Sequence, residues 1–450
     1  MAKKRSKKKK QTLSIGMTVT LVILMIAAVI ILWTLDIIKL PDILGKNKNT
    51  NNTQTTVDTS TTDNTSINTN DGTSLTTVDT SRNDNLSYEG IVYDDFQIHF
   101  MMLGNDKAGD SIYIKAGDCD ILIDAGSRSG SSSTTISYMD NYIEDNTLEY
   151  VIATHGDQDH VEAFPKILEH YKAKTIIRNQ YSNKTSAAYN NMLEAFTNQV
   201  KNNGAKEYMA NDCFDNTNGA SKTYELSTKV TMDIIYNYYY WNKASDENDY
   251  SVCLLFTYND GDETRYFFFT GDLEETGEKK LAEYYDGSTI DKTLPKVDLF
   301  KAGHHGSKTS SNDCLLNIIQ PKMCVVCCCC GTNEYTGITD NQFPTQDFIN
   351  RIAKWTDNVY VTTVCESYII DTAIDNGKGK SNVKGVEIGG EYIHSSGYKA
   401  LNGNIIVSAS KEGIGLSCSN NTTKLKDTEW FNATITLDGE SRKMRVWPEY

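Results

Sequence analysis

One short run constrains this chain more than any other feature. Thr154-His155-Gly156-Asp157-Gln158-Asp159-His160 follows directly on the apolar stretch Tyr150-Val151-Ile152-Ala153. An apolar β-run that ends in a polar loop predicts a buried strand whose tip can gather side chains around a cation. The run offers four candidate ligands, His155, Asp157, Asp159 and His160, within six residues, and it uses two of the seven histidines of the chain. Imidazole and carboxylate donors suit Zn²⁺, Mn²⁺ or Fe²⁺, and the H-x-D-x-D-H alternation lets them face two adjacent ions.

Two later segments repeat the pattern of an apolar strand running into ligand-type residues. Phe267-Phe268-Phe269-Thr270-Gly271-Asp272 ends in a carboxylate able to bridge two ions. Val297-Asp298-Leu299-Phe300-Lys301-Ala302-Gly303 leads into His304-His305-Gly306-Ser307-Lys308, where either histidine can be a ligand. Three strand ends carrying three ligand sets form a constellation rather than scattered polar loops.

With these motifs the chain resembles the metallo-β-lactamase fold, and within it the extracellular hydrolase domain of the ComEC competence proteins. The likeness runs from about Ile98 to Phe431. Asp110 in Gly109-Asp110-Ser111-Ile112 and Asp124 in Ile121-Leu122-Ile123-Asp124-Ala125-Gly126 resemble the opening strand pair of that family, in a structural role. The resemblance implies an α+β domain built as a four-layer αββα sandwich, two divalent metal ions (Zn or Mn) at strand ends between the sheets, and hydrolysis. Two departures stand out. Between His160 and Asp272 the only histidine is His170, inside an expected helix, and Gln342-Phe343-Pro344 stands where ComEC-like chains tend to have His-Pro.

The expected ligand sets are His155, Asp157 and Asp272 for one ion, and Asp159, His160, Asp272 and one of the His304-His305 pair, assigned to His305, for the other. Asp159 then serves catalysis as well as binding. His304 is the expected proton donor to the leaving group, and Ser307 and Lys308 the expected contacts to an anionic substrate oxygen. A phosphodiester substrate, small or polymeric and outside the cell, is the first expectation. A lactone or amide hydrolase, or a metal-stabilised module that binds without catalysis, are the alternatives.

The rest of the chain bears on where such a domain works. Seven basic side chains lie in the first twelve residues, and the formal charge of −15 becomes −22 for the remainder, which argues against a long polyanion track. Residues 13–35 are uncharged up to Leu35 and largely apolar, long enough to cross a bilayer core of about 30 Å. The basic flank 1–12 predicts a cytoplasmic tail, a single-pass anchor and everything after it outside the cytoplasm, with a cleaved signal peptide as the rival. Residues 46–87, rich in Asn, Thr and Ser, read as a disordered tether, 90–431 as the catalytic domain and 432–450 as a C-terminal extension.

Strands are expected over 111–115, 120–124, 150–154, 174–178, 230–236, 252–258, 265–270, 297–301 and 323–328, with a last pair around 404–416. Helices are expected over 161–171, 187–202, 274–285 and 345–355. The stretch 374–401 reads as a surface insertion. Of eleven cysteines, five crowd into Met323-Cys324-Val325-Val326-Cys327-Cys328-Cys329-Cys330, which reads as a buried strand, with Cys324 and Cys327 on opposite faces. Tyr236 to Trp241 could be an aromatic platform or a packed strand end, and His99, His170 and His394 fall outside every motif.

Overall fold

The structure, a computed structural model, describes residues 90–103, 109–126, 131–330, 338–364, 402–437 and 440–450, with four short strands between 374 and 394. The expected membrane segment 13–35 and tether 46–87 lie outside the described residues. Among the described residues no helix is long and apolar enough to cross a membrane.

Two mixed sheets face each other. The first has eight strands, in the order β19 (Gly413–Cys418), β18 (Ile405–Ser410), β1 (Phe96–Phe100), β2 (Ile112–Ala116), β3 (Cys119–Ile123), β4 (Thr147–Ala153), β5 (Lys172–Arg178) and β6 (Lys206–Met209). The second has seven: β13 (Val359–Val364), β12 (Met323–Cys330), β11 (Leu299–Lys301), β10 (Thr264–Phe269), β9 (Cys253–Asn259), β8 (Val230–Ile235) and β7 (Thr223–Glu225). Three small two-stranded pairs complete the strands: β14 (Ile374–Asp375) with β15 (Ser381–Asn382), β16 (Gly385–Ile388) with β17 (Glu391–His394), and β20 (Thr434–Leu437) with β21 (Glu440–Lys443).

The cores define the layers. Alternate residues of both sheets meet in a central core, with Phe96 against Phe267 at 5.1 Å between ring centres and Phe100 stacked on Phe269 at 6.1 Å. A second core joins the outer face of the β10–β12 sheet to helices Glu275–Tyr284, Asp313–Ile319, Gln346–Ile352 and Glu429–Asn432. A third joins the other sheet to helices Ser131–Met139, Phe164–His170 and Ala187–Asn198. Because sheets buried on both faces read as near-continuous apolar runs, Ile121-Leu122-Ile123 and Phe267-Phe268-Phe269 follow from the layering. The result is helix, sheet, sheet, helix.

β12 separates its thiols as expected. Cys324 lies in the outer core and Cys327 in the central one. The helix expected over 161–171 is two pieces, Gln158–Val161 and Phe164–His170, because Pro165 starts a fresh helix at its first turn. The C-terminal residues return to the body: Met444 is buried in the second core, and Gln346 exchanges hydrogen bonds with the backbone of Val446.

Strand direction positions the site. β3 and β4 run parallel, as do β10 and β11, so the loops after Ile123, Ala153, Phe269 and Lys301 emerge at matching ends of their sheets. Each of these loops carries one of the sequence motifs.

Candidate metal centre

His155 and His160 turn their rings together, with centres 4.2 Å apart, and His160 and His305 follow at 5.3 Å. His160 Nε2 lies 3.1 Å from Asp272 Oδ2, and His305 Nε2 is 3.3 Å from both Asp272 Oδ2 and Asp159 Oδ2. All four of His155, His160, His305 and Asp272 are buried. Two overlapping groups hold donor atoms within 4.8 Å of one another: His155, His160 and Asp272, and Asp159, His160 and His305.

A third such group, Asp110, Asp124 and His160, lies on the other side of the His160 ring. There Nδ1 is already hydrogen-bonded to Asp124 Oδ2 at 2.7 Å, the arrangement that orients a ligating imidazole and turns its Nε2 towards Asp272. His305 is held in the same way, with Nδ1 2.7 Å from the Cys327 carbonyl and 3.3 Å from Asp110 Oδ1. Asp124 also accepts from the backbone N and the hydroxyl of Thr154, tying the tip of β3 to the start of the His155 loop.

The backbone is strained where it makes these turns. Asp124, His304 and His305 all have positive φ, at 56°, 44° and 51°, a costly region for residues with a side chain. Gly109 shows why a glycine precedes Asp110: a Cβ there would stand 1.8 Å from the Asp159 carbonyl.

Lys301 was not singled out by sequence, yet it is buried at the centre. Its Nζ contacts Asp110 Oδ2, the Gly271 carbonyl at 3.1 Å and Asp272 Oδ1 at 3.4 Å. Asp157 is treated alike: its Oδ1 pairs with Lys184, and its Oδ2 stands 3.6 Å from His155 Nε2. Each carboxylate therefore has one oxygen tied to an ammonium and one facing the imidazoles. A charged residue inside the apolar run Leu299-Phe300-Lys301-Ala302 was the available signal for Lys301. Lys184 offered none.

Burial pushes the acidity of His160 and His305 towards the neutral form, but Asp272 and the neighbouring carboxylates outweigh it and raise both rings well above their usual value. Burial alone would raise Asp159, yet the His305 and His160 imidazoles hold it below the usual carboxylate range. A site this rich in carboxylate favours positive charge. The donor set fits a divalent ion, because His155 Nε2 is buried without a hydrogen-bond partner, a costly state that a cation would relieve.

His304 leaves this cluster. Its Nδ1 sits 2.9 Å from Glu274 Oε1, which also accepts from the Thr309 hydroxyl at 2.7 Å. Ser307 departs from expectation: it is 5 % exposed and its hydroxyl meets Thr309 Oγ1 at 2.9 Å, because the loop turns it inward. Lys308 alone of that pair is exposed. His170 is an exposed helix residue paired with Asp140. The 236–241 aromatics form a packed cluster in which Tyr236 stacks on Tyr284 at 3.9 Å.

Residues 104–204, which span the His155 loop, match the profile of the metallo-beta-lactamase superfamily. The chain is similar to the metallo-beta-lactamase fold-containing protein ST1585 of Sulfurisphaera tokodaii, 23% identical over 196 residues that span 42% of this chain and 63% of that relative. Among solved structures it is similar to the metallo-beta-lactamase fold protein YhfI from Bacillus subtilis, at 11% identity and TM-score 0.34, over 59% of this chain and 96% of that one. MEM-A1, a subclass B3 metallo-beta-lactamase from a soil metagenome library, matches at 12% identity and TM-score 0.30, over 46% and 79%. Members of this superfamily are generally metal-dependent hydrolases, which agrees with the donor set around His160.

Proposed function

We propose that the protein is a membrane-anchored phosphodiesterase of the metallo-beta-lactamase superfamily, working outside the cytoplasm on a phosphodiester-containing substrate. The observation that carries the hydrolytic part is the convergence of His155, Asp159, His160, Asp272 and His305 on one buried volume. The anchoring part rests on residues 13–35 and their basic flank. The choice of phosphodiester rests on the ComEC-like pattern of the motifs and on charge.

His155 Nε2, Asp157 Oδ2 and Asp272 Oδ2 would hold one divalent ion, Zn or Mn, and Asp159, His160, His305 and Asp272 the other. When bound, such ions acidify water and neutralise charge on a phosphoryl oxygen. The chain's own residues do the rest. Asp110, Asp124 and the Cys327 carbonyl hold His305 and His160 by their Nδ1 atoms, and Lys301 and Lys184 restrict Asp272 and Asp157 to one inward oxygen each.

Asp110, Asp124, Asp157, Asp159 and Asp272, with Glu247 and Glu274 beside them, outnumber Lys184 and Lys301, so two divalent ions would offset most of the negative charge that otherwise repels an anionic ester. Glu274 orients His304 by Nδ1, leaving Nε2 to pass a proton to the departing oxygen. Lys308 at the rim meets a phosphate oxygen.

The test is turnover of bis-p-nitrophenyl phosphate by the full-length chain with Mn²⁺ or Zn²⁺, beside Asp159→Ala. We expect the variant to lose about a hundred-fold or more in rate. Equal rates, or none in either protein with metal bound, would refute the phosphodiester reading.

A further inference from the structure

A cleft of about 500 Å³ lies beside the metal centre, against the C-terminal residues. Its cations are Lys308, Arg442, Lys443 and Arg445, and its acids are Asp340 and Asp347. In a body carrying −22 outside its first twelve residues, a concave surface with two excess positive charges is an exception to the general field.

The partners of these cations matter more than their number. Lys443 Nζ meets the Asn432 carbonyl at 2.9 Å and Lys308 Nζ the Asn341 side-chain oxygen at 3.1 Å, both neutral acceptors. Arg445, buried over the Trp430 ring, donates to the carbonyls of Gln342, Met444 and Pro344. Arg442 pairs with the Asp340 carboxylate. Neutral acceptors leave the charge of Lys308 and Lys443 available to a ligand.

The cleft and the metal centre share a wall. Within one loop, Asp340 and Asn341 line the cleft, while the Phe343 ring packs on His305 at 6.0 Å and on His304 at 5.5 Å. Arg445 grips the same loop on both sides of Phe343. Lys308 joins the two from the other strand end, three residues beyond His305.

We infer that this cleft is a phosphate-binding subsite, which seats a backbone phosphate next to the scissile one and makes the preferred substrate a phosphodiester chain rather than an isolated diester. The inference rests on the phosphodiesterase reading. The subsite is local, so the acidic body does not oppose it. A chain of alternating phosphates, whether of deoxynucleotides or of glycerol, presents the required chemistry.

The experiment compares full-length wild type with Arg442→Gln/Lys443→Gln, using bis-p-nitrophenyl phosphate, a thymidylate 12-mer and a glycerol phosphate oligomer as substrates. Expected is unchanged turnover of the small diester, with KM for at least one chain raised about five-fold or more. The slope of log affinity against log salt for that chain should fall by about 1.4, as expected for two lost phosphate contacts at roughly 0.7 each. The chain that responds identifies the source of the phosphates. Unchanged KM and salt slope with both chains would overturn the subsite while leaving the phosphodiesterase reading intact.

If wild type turns over nothing, the reading fails by itself. Anisotropy of the two labelled oligomers then decides the cleft: weaker binding by the variant supports it and equal binding overturns it. Should the double variant melt early, Lys443→Gln alone, at an exposed strand position, carries the same comparison.

Discussion

Lys301 Nζ lies 3.4 Å from Asp272 Oδ1, while the other oxygen of the same carboxylate stands 3.1 Å from His160 Nε2. A buried ammonium thus sets which face Asp272 presents to the imidazoles. It also pairs with Asp110, whose second oxygen supports His305. One lysine therefore orders two of the elements that meet at the centre.

Lys301→Met should be strongly destabilising. It removes one of the cations facing two buried carboxylates and leaves Asp110 and Asp272 to the His160 and His305 imidazoles, so a loss of about 3 kcal/mol, the low end for breaking a buried pair, is expected. Urea denaturation of wild type and variant, both stripped of metal, measures this. A loss below about 1 kcal/mol would show that Asp110 and Asp272 do not depend on the ammonium.

Metal and protons should compete at the same nitrogens. Since the carboxylates raise His160 and His305, their stabilising contribution in metal-free protein is complete below the unfolded value of about 6.5 and is lost as pH rises through the folded values. Metal binding should then release protons and tighten with pH. Calorimetric titration with Mn²⁺ in buffers of different ionisation heat reads the proton count. Zero release between pH 6 and 8 would contradict the placement of these rings as ligands.

His99 predicts the opposite slope elsewhere. It is fully buried between Tyr138 and Gln97, and burial presses its imidazole down to about 3. The unfolded chain takes up a proton near pH 6.5 that the folded chain refuses, so stability falls as pH drops from 6.5 towards 3, by up to about 1.4 kcal/mol per pH unit. The stability of wild type minus that of His99→Gln, followed from pH 7 to 4, isolates this share from carboxylates such as Glu278, which burial raises to about 7 and whose slope is reversed. A difference independent of pH would mean that His99 titrates normally.

Much of this was legible before the fold. The strands feeding the site announce themselves because each is an apolar run ending in glycine or ligand-type residues, and β4, β10 and β11 lie within a few residues of their expected places. β1 was not picked out although Phe-Gln-Ile-His-Phe alternates as a strand does; alternation would in any case place Gln97 and His99 in solvent, whereas both faces of β1 are buried. β7 and β6 are three and four residues long, too short for a pattern. Within the site, Asp159, His160 and Asp272 stand out in the sequence as strand-end ligand candidates, whereas the choice between His304 and His305 is left open there and it is the fold that puts His305 beside Asp159 and His160. Lys184, Glu247 and Glu274 were not, because their roles arise from loops distant in sequence, as when Glu247 accepts from the backbone of Gly156 and Asn183.

The Glu247 contacts give a further expectation. Glu247 is 4 % exposed and receives Gly156 N at 2.8 Å, Ser182 Oγ at 2.7 Å and Asn183 N at 2.5 Å, joining the His155 loop to the loop that carries Lys184. Glu247→Ala strands the buried Gly156 N–H, at about 1–3 kcal/mol for a buried donor left unsatisfied, and releases the more exposed N–H of Asn183. Thermal melting with and without metal should show a lower midpoint and a smaller shift on adding metal. An unchanged shift would mean that the two loops are ordered independently of Glu247.

The central claim is that these side chains hold divalent metal, and elemental analysis of the full-length protein tests it most directly. Close to two equivalents of Zn or Mn per chain are predicted for wild type, and fewer than one for Asp272→Ala, which removes the oxygen shared by both ligand sets. A wild-type protein that carries no metal after dialysis against micromolar Zn²⁺ or Mn²⁺, or an Asp272→Ala protein that carries as much as wild type, would contradict it.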